Sequence, residues 1–555
     1  DFTNFGNKNL WLTLYKIQVV AWHNQSSNTH TPFCSFIMED RLLKDILLSY
    51  ANKLNVVLRW QPTQKKFREL LMDKRFHYPR LLSFLIKCRN KNITNEKQGL
   101  KSLKNIGCPK IAIESLSSFN LHKHELFSDI SYWHQSQLCA ENLLLYTNRA
   151  LSEKQYEECR KADIDIIALS IHHGNEVPHY LPFHNVKTNL PSINNHEKTP
   201  ESKFINNQID HYNYLKNYWL TFFERTRTKV HVSHFKYDNI HITQSDALDE
   251  LGGISALWQL SCEEIPSNEL TIFADIMFGF SSSHALTEEN NGSKIRYHIA
   301  TGYTGDYRFP LLKSKAEIVR KKLLEKGAKR IITYFDENST EEERWSIGNS
   351  TTCKSYSFFL EKVLAEPWLG VIFKPKKPQT LLKRLKPIDE LFKKAIATGR
   401  CHVFMAEASG IPPAIAALAS DIAIHVSAVS ATAGSEAALT GTPTLLIDPD
   451  NWQMSQFYQL GKEKVIFQSY NILWDTLLEH WKLQQGIPGL GDWSQLLDEL
   501  DPFRDGKAAE RMGNYLNWMI QGFEEGLDKE VIMADAAERY SLQWGADKIT
   551  TNIGL

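Results

Sequence analysis

The stretch SAVSATAGSEAALTGTPTLLIDPD, residues 427–450, does most to decide the fold of this 555-residue chain. It opens on small hydroxyl residues and places one acid, Glu436, inside a run of Ala and Leu. It turns at Gly441 and Pro443 and re-enters an apolar run before Asp448 and Asp450. The apolar segment DIAIHV, residues 421–426, comes immediately before it. The local reading is strand, hydroxyl-rich turn, short helix, strand.

The same alternation extends in both directions. Upstream, AKRIITYFDEN (328–338) reads as a strand running into an acidic turn and CKSYSFFLEKVLA (353–365) as an amphipathic helix. LGVIFKPKKP (369–378) is a strand ending at a Lys/Pro turn, and RCHVFMAE (400–407) is another strand. Strand alternating with helix is the pattern of a parallel sheet with right-handed crossovers. The first half is less regular. Its strand candidates are 14–21, 55–60, 110–114, 164–171, 229–234, 271–277 and 295–300, and its helix candidates include 39–53, 64–72, 152–162 and 245–260, the last capped by Ser245 and Asp246. The predicted fold class is α/β, with two Rossmann-like doubly wound domains facing a cleft. The predicted boundaries are 1–308, 309–530, and a C-terminal helix and tail at 531–555.

Composition bounds the function. Lys+Arg and Asp+Glu balance at 64 each, which argues against a chain-wide grip on nucleic acid. The apolar runs are far shorter than a bilayer span. The eight Cys are scattered, with no CxxC pair or Cys/His zinc spacing, which points to reduced thiols and a cytoplasmic protein.

In open parallel sheets, ligands sit beyond the carboxyl ends of the strands. Past the predicted strands of the second half lie Lys374, Lys376 and Lys377, then Ser427, Ser430 and Thr432. Free N–H groups at a helix start, flanked by hydroxyls, suit a phosphate. Gly434 is expected to let backbone approach a ligand. Glu436, expected in the first helical turn, suits a ribose diol, and the lysines suit the charge of a diphosphate. Each feature also has an ordinary reading, as a helix cap or an acid placed against the macrodipole. Their combination points to a nucleotide site.

The segment SAVSATAGSEAALTGTPTLLID resembles the donor-binding segment of GT-B glycosyltransferases that build bacterial surface polysaccharide, such as capsule and lipopolysaccharide O-antigen. IFKPKKP resembles a variant of their Lys-Pro-His-Pro turn, with Lys374 and Pro375 matching and Lys376 standing where the His would fall. TGYTGDYRFPLL, residues 301–312, resembles the segment that opens their second domain. The resemblance covers about residues 302–450. It implies a GT-B-like architecture, a nucleotide-sugar donor site in the second domain, and an acceptor site for an oligosaccharide or lipid-linked glycan in the first. It also implies no obligatory metal, and no cofactor is expected.

An inverting transferase needs a base for the acceptor hydroxyl. Asp238 and His172 are the candidates, each just past a predicted strand, with His173, Asp246, Asp306 and Arg308 as further cleft residues. The basic run Lys383, Arg384, Lys386, Lys393 and Lys394 reads as a solvated face or a peripheral contact with anionic lipid at the membrane's inner face. Two other functions fit the same pattern: a sugar-nucleotide epimerase, and a non-catalytic nucleotide-binding module of a polysaccharide assembly complex.

Overall fold

The computed structural model describes residues 8–26, 35–39, 44–61, 108–115, 120–147, 152–169, 200–236, 240–262, 270–339, 341, 348–405, 410–429 and 431–555. Near the N-terminus, β1 (Ser35–Glu39) and β2 (Val57–Gln61) pair in parallel beside helices Lys8–Ser26 and Lys44–Lys53. Residues 14–21, read from sequence as a strand, lie inside the first of these helices. The run carries no flanking turn residues, and its buried members Ile17 and Ala21 are four apart, on one helical face, against Leu47, Ala51 and Val56.

The first large sheet contains β3 (Lys110–Glu114), β4 (Leu143–Thr147), β5 (Asp165–Ala168), β6 (Thr228–Ser233), β7 (Ile254–Trp258), β8 (Phe273–Gly279) and β9 (Lys294–Ala300). These run parallel in the spatial order β5-β4-β3-β6-β7-β8-β9. The chain goes outward from β3 to β5, returns to the other side of β3, and goes outward again. That is the doubly wound arrangement, and its switch point lies between β3 and β6. The predicted helix at 245–260 instead spans Ile240–Glu250, and β7 begins at Ile254. The break is at the Gly pair. Gly252 has a φ of +64°, and a side chain on Gly253 would press on Leu248 and the Lys229 carbonyl. Ser245 and Asp246 are therefore mid-helix and cap nothing.

The second sheet contains β10 (Arg330–Phe335), β11 (Leu369–Lys374), β12 (Cys401–Val403), β13 (Ile422–His425), β14 (Thr444–Ile447) and β15 (Ile466–Phe467). All are parallel, in the order β12-β11-β10-β13-β14-β15. The winding is the same, with a switch point between β10 and β13. Helix Asn349–Ala365 covers one face through Tyr356, Phe359, Leu360 and Val363, and helix Arg308–Glu325 covers the other through Leu312, Ala316 and Leu323.

After Leu500 the chain returns to the first domain. Helices Ala508–Glu524 and Lys529–Trp544 set Met512, Tyr515, Leu516, Met519, Ile532 and Tyr540 against the first core. Strand β16 (Ile549–Ile553) then pairs antiparallel with β9. Residues 508–530 thus pack with the first unit, not with the second, where the sequence had placed them, and 531–555 are an integral part of that core. The reason is the wide apolar face of each helix, which the first core buries.

Candidate functional site

The two carboxyl edges meet. The N–H of Cys262, past β7, donates to Thr432 Oγ1 at 3.0 Å, and Thr432 opens the helix that follows β13. The Tyr303 hydroxyl, past β9, donates to Glu436 Oε2. The Phe127 N–H, past β3, donates to the Gly410 carbonyl at 2.9 Å. Segments beyond strand ends of the first sheet are thus bonded to segments beyond strand ends of the second. The start of the Thr432–Leu439 helix lies between them, and its first N–H groups have no partner within the helix.

At the switch point of the second sheet, the acids after β10 shape the Lys/Pro turn after β11. Asp336 is buried and accepts from Tyr356 OH at 3.1 Å, from Arg384 Nη1 at 3.1 Å, and from the Lys376 N–H. Burial raises its pKa, and Arg384 opposes that shift. Glu337 lies 3.3 Å from His425 Nε2 and accepts from Lys376 Nζ. Burial would raise Glu337, but His425 and Lys376 outweigh it and hold the carboxyl at about 2. Lys374, the last residue of β11, carries a pKa lowered by burial against the pull of Glu436 and Asp336. Lys377 is exposed, with its carbonyl accepting from Arg384 Nη2 at 3.3 Å. Of the three predicted lysines, Lys376 is engaged by Glu337, and Lys374 and Lys377 hold no ion pair among the described residues.

Three residues of the opening stretch have roles that differ from the sequence reading. Gly434 faces its own sheet: an added Cβ would stand 3.2 Å from Leu446 and 3.4 Å from His425. Its missing side chain permits helix-on-strand packing, not a ligand's approach. Glu436 is the fifth residue of its helix, in the second turn, and only 3% exposed. Its Oε1 accepts from the Ala414 N–H at 2.8 Å and its Oε2 from Tyr303. It joins the domains, and a ribose would find both oxygens already engaged. Thr432 Oγ1 likewise accepts from the Cys262 N–H. Ser427 remains at the edge, half-buried, its hydroxyl accepting from the Val429 N–H at 3.1 Å. Ser430, His172, His173 and Asp238 lie outside the described residues.

The remaining predicted cleft residues divide. Asp246 accepts from Tyr212 of helix Pro200–Thr226, a helix–helix contact remote from the strand ends. Arg308 is buried at the domain junction, its Nε donating to the Gly305 carbonyl at 3.2 Å and its guanidinium 5.9 Å from the Phe127 ring centre. Burial would lower its pKa, but Glu436 and Tyr303 raise it. Asp306 is 4% exposed, and neither of its oxygens has a hydrogen-bond partner among the described residues. Burial, reinforced by Asp501, raises it to about 7. The basic run on and around 383–394 is largely neutralised: Arg384 is buried on Asp336, Lys383 pairs with Glu341, and Lys393 with Asp389 and Glu390. Among the described residues no helix is long and apolar enough to cross a membrane, and no three His, Cys, Asp or Glu side chains converge on a metal position.

The first sheet's edge adds residues that the sequence did not single out. His234 directly follows β6, and its Nδ1 is 3.8 Å from Asp129 Oδ1. Asp129 Oδ2 is 3.4 Å from Ser115 Oγ, which follows β3. Burial lowers His234 to about 4. With Lys236, Trp258, Gln259 and Ser261 it lines a small cavity. The strand-end rule was enough to find His234, but the sequence reading took it as the end of the strand and passed on to Asp238.

No family model and no curated protein matches the chain. Similar solved structures exist, among them three at 10–11% identity. The Anabaena protein HepE, solved with UDP and glucose, is 11% identical over 78% of this chain and 99% of its own, with a TM-score of 0.37. The S. aureus MnaA–UDP structure is 11% identical over 74% and 97%, with a TM-score of 0.40. The wall teichoic acid polymerase TagF is 10% identical over 81% and 98%, with a TM-score of 0.41. The fold assignment rests on the strand orders themselves.

Proposed function

We propose that the protein is a glycosyltransferase that moves a sugar from a nucleotide-sugar donor to a growing surface glycan, with inversion and without a catalytic metal. One observation carries this reading: two doubly wound sheets bring their carboxyl edges together, and the start of the Thr432–Leu439 helix lies at the crossing. Ligands of such sheets bind at that edge, and a helix start with free N–H groups favours a diphosphate. Lys374 and Lys377 would supply positive charge, and Ser427 and Ser430 hydroxyl contacts. The first sheet's edge would hold the acceptor.

Incubating the protein with a panel of nucleotide sugars and glycan acceptors tests this. Transfer that requires the acceptor is the expected result. A changed nucleotide sugar formed without acceptor, seen by NMR, would assign an epimerase instead. Nucleotide binding with no product in either case would leave a binding module.

A further inference from the structure

We propose that His234 is the group that takes the proton from the acceptor hydroxyl, with Asp129 as its positioning residue. The inference rests on the transfer reading above and deepens it by naming the proton's destination.

Topology comes first. The switch point of the first sheet lies between β3 and β6, and the crevice there is where a doubly wound sheet accepts a ligand. His234 is the first residue past β6. Asp129 is anchored to Ser115, the first residue past β3, so the two side chains meet across the switch point. The small cavity that His234 lines, about 10 Å³ in volume, continues along Gln259 and Leu260 to Ser261. The next residue, Cys262, is bonded to Thr432 at the start of the donor-side helix. His234 is therefore separated from the proposed phosphate site by one short segment of chain.

The chemistry agrees with the position. His234 is 7% exposed, its ring packs edge-on against Trp258 with centroids 5.0 Å apart, and its Nδ1 makes no hydrogen bond among the described residues. A neutral imidazole held this way can accept a proton, and the Asp129 carboxylate then faces the imidazolium so formed. The 3.8 Å separation exceeds a hydrogen bond, as is common for such pairs before substrate binds. Lys236, on the same wall, is fixed by Glu288 at 2.7 Å, and Glu288 in turn accepts from Ser293 at 2.7 Å and lies 3.3 Å from His284 Nε2. That wall is therefore rigid. In the step itself the acceptor O–H passes its proton to His234 while its oxygen bonds to the sugar's anomeric carbon. The anomeric C–O bond breaks with its electron pair going to the nucleoside diphosphate.

The test uses the full chain. His234→Gln should lower kcat by about 10²–10⁴-fold, the usual worth of a general base, with nucleotide affinity unchanged by calorimetry. His234→Ala should regain turnover on addition of imidazole, which a merely structural histidine would not allow. Asp129→Asn should lower kcat with little change in acceptor KM. A His234→Gln protein that binds nucleotide and turns over within about tenfold of wild type, or a folded His234→Ala protein that imidazole does not rescue, overturns the assignment. A wild-type protein that neither binds nucleotide nor transfers sugar overturns the transfer reading itself, and the base with it.

Discussion

Asp336, past β10, is held by Arg384, Tyr356 and the Lys376 N–H, whereas Asp306, past β9, is as deeply buried and finds no such partner among the described residues. The contrast extends to the neighbours. Glu337 is gripped by Lys376 and His425. At the other edge, His234 stands 3.8 Å from Asp129, and Asp306 is pushed up further by Asp501. Buried polar groups with several partners fix a shape, while those without partners store unfavourable energy and titrate easily. The second sheet's edge therefore reads as a rigid platform. The first sheet's edge and the junction beside it keep groups whose protonation can change.

Removing one partner from the platform should have the largest effect. Arg384→Ala leaves Asp336 buried without its cation, and should destabilise the fold by about 3–5 kcal/mol in denaturant unfolding. A loss near zero would mean that the platform is not held by this pair.

Acidity separates the edges next. Asp306 is raised from the ordinary 3.8 to about 7, so between those values the folded state holds a proton that the unfolded state has released. Its contribution is fully favourable below about pH 4 and is lost as pH rises through about 7, by at most about 4 kcal/mol. Glu337 has the opposite sign: its contribution is present above its ordinary value and is lost as pH falls toward about 2. Asp306→Asn should remove the loss between pH 4 and 7 and be more stable than wild type at pH 8. Parallel stability profiles for the two proteins would contradict this.

Gly434→Ala discriminates packing from ligand contact. Its Cβ would lie 3.2 Å from Leu446, so stability should fall by about 1–3 kcal/mol, as for other overpacked sites. Weaker nucleotide binding at unchanged stability would restore the ligand-facing role read from sequence. The smallest expected effect is that of Tyr303→Phe, which removes the hydrogen bond to Glu436 and should cost about 1 kcal/mol. If Glu436 also meets a ribose, this variant should bind nucleotide more tightly than wild type, because the competing hydroxyl is gone.

The second sheet was legible because β10, β11, β13 and β14 are short apolar runs bounded by turns, buried on both faces. β7 was hidden because the apolar residues after Gly253 continue the preceding helix's composition, and only the Gly pair marks the break. The hydroxyl-rich turn and helix start were also visible. The partners of Glu436 were not, because Tyr303 is 133 residues away and a carboxylate in an Ala run looks the same whether it faces a ligand or a tyrosine. Pairing across domains is set by tertiary geometry, which local pattern does not encode. The same holds for Asp129 and His234, brought together by the order β3-β6 and not by nearness in sequence.

The edge formed by Lys374, Ser427 and the Thr432–Leu439 helix start is expected to bind a nucleotide. A thermal-shift screen with CMP, CDP, UDP, GDP and TDP at millimolar concentration tests it most directly, since a ligand bound only by the folded state raises Tm. At least one nucleotide should raise the Tm, and Lys374→Ala should abolish the shift. If no nucleotide moves the Tm, or if Lys374→Ala responds as the wild type does, the claim is contradicted.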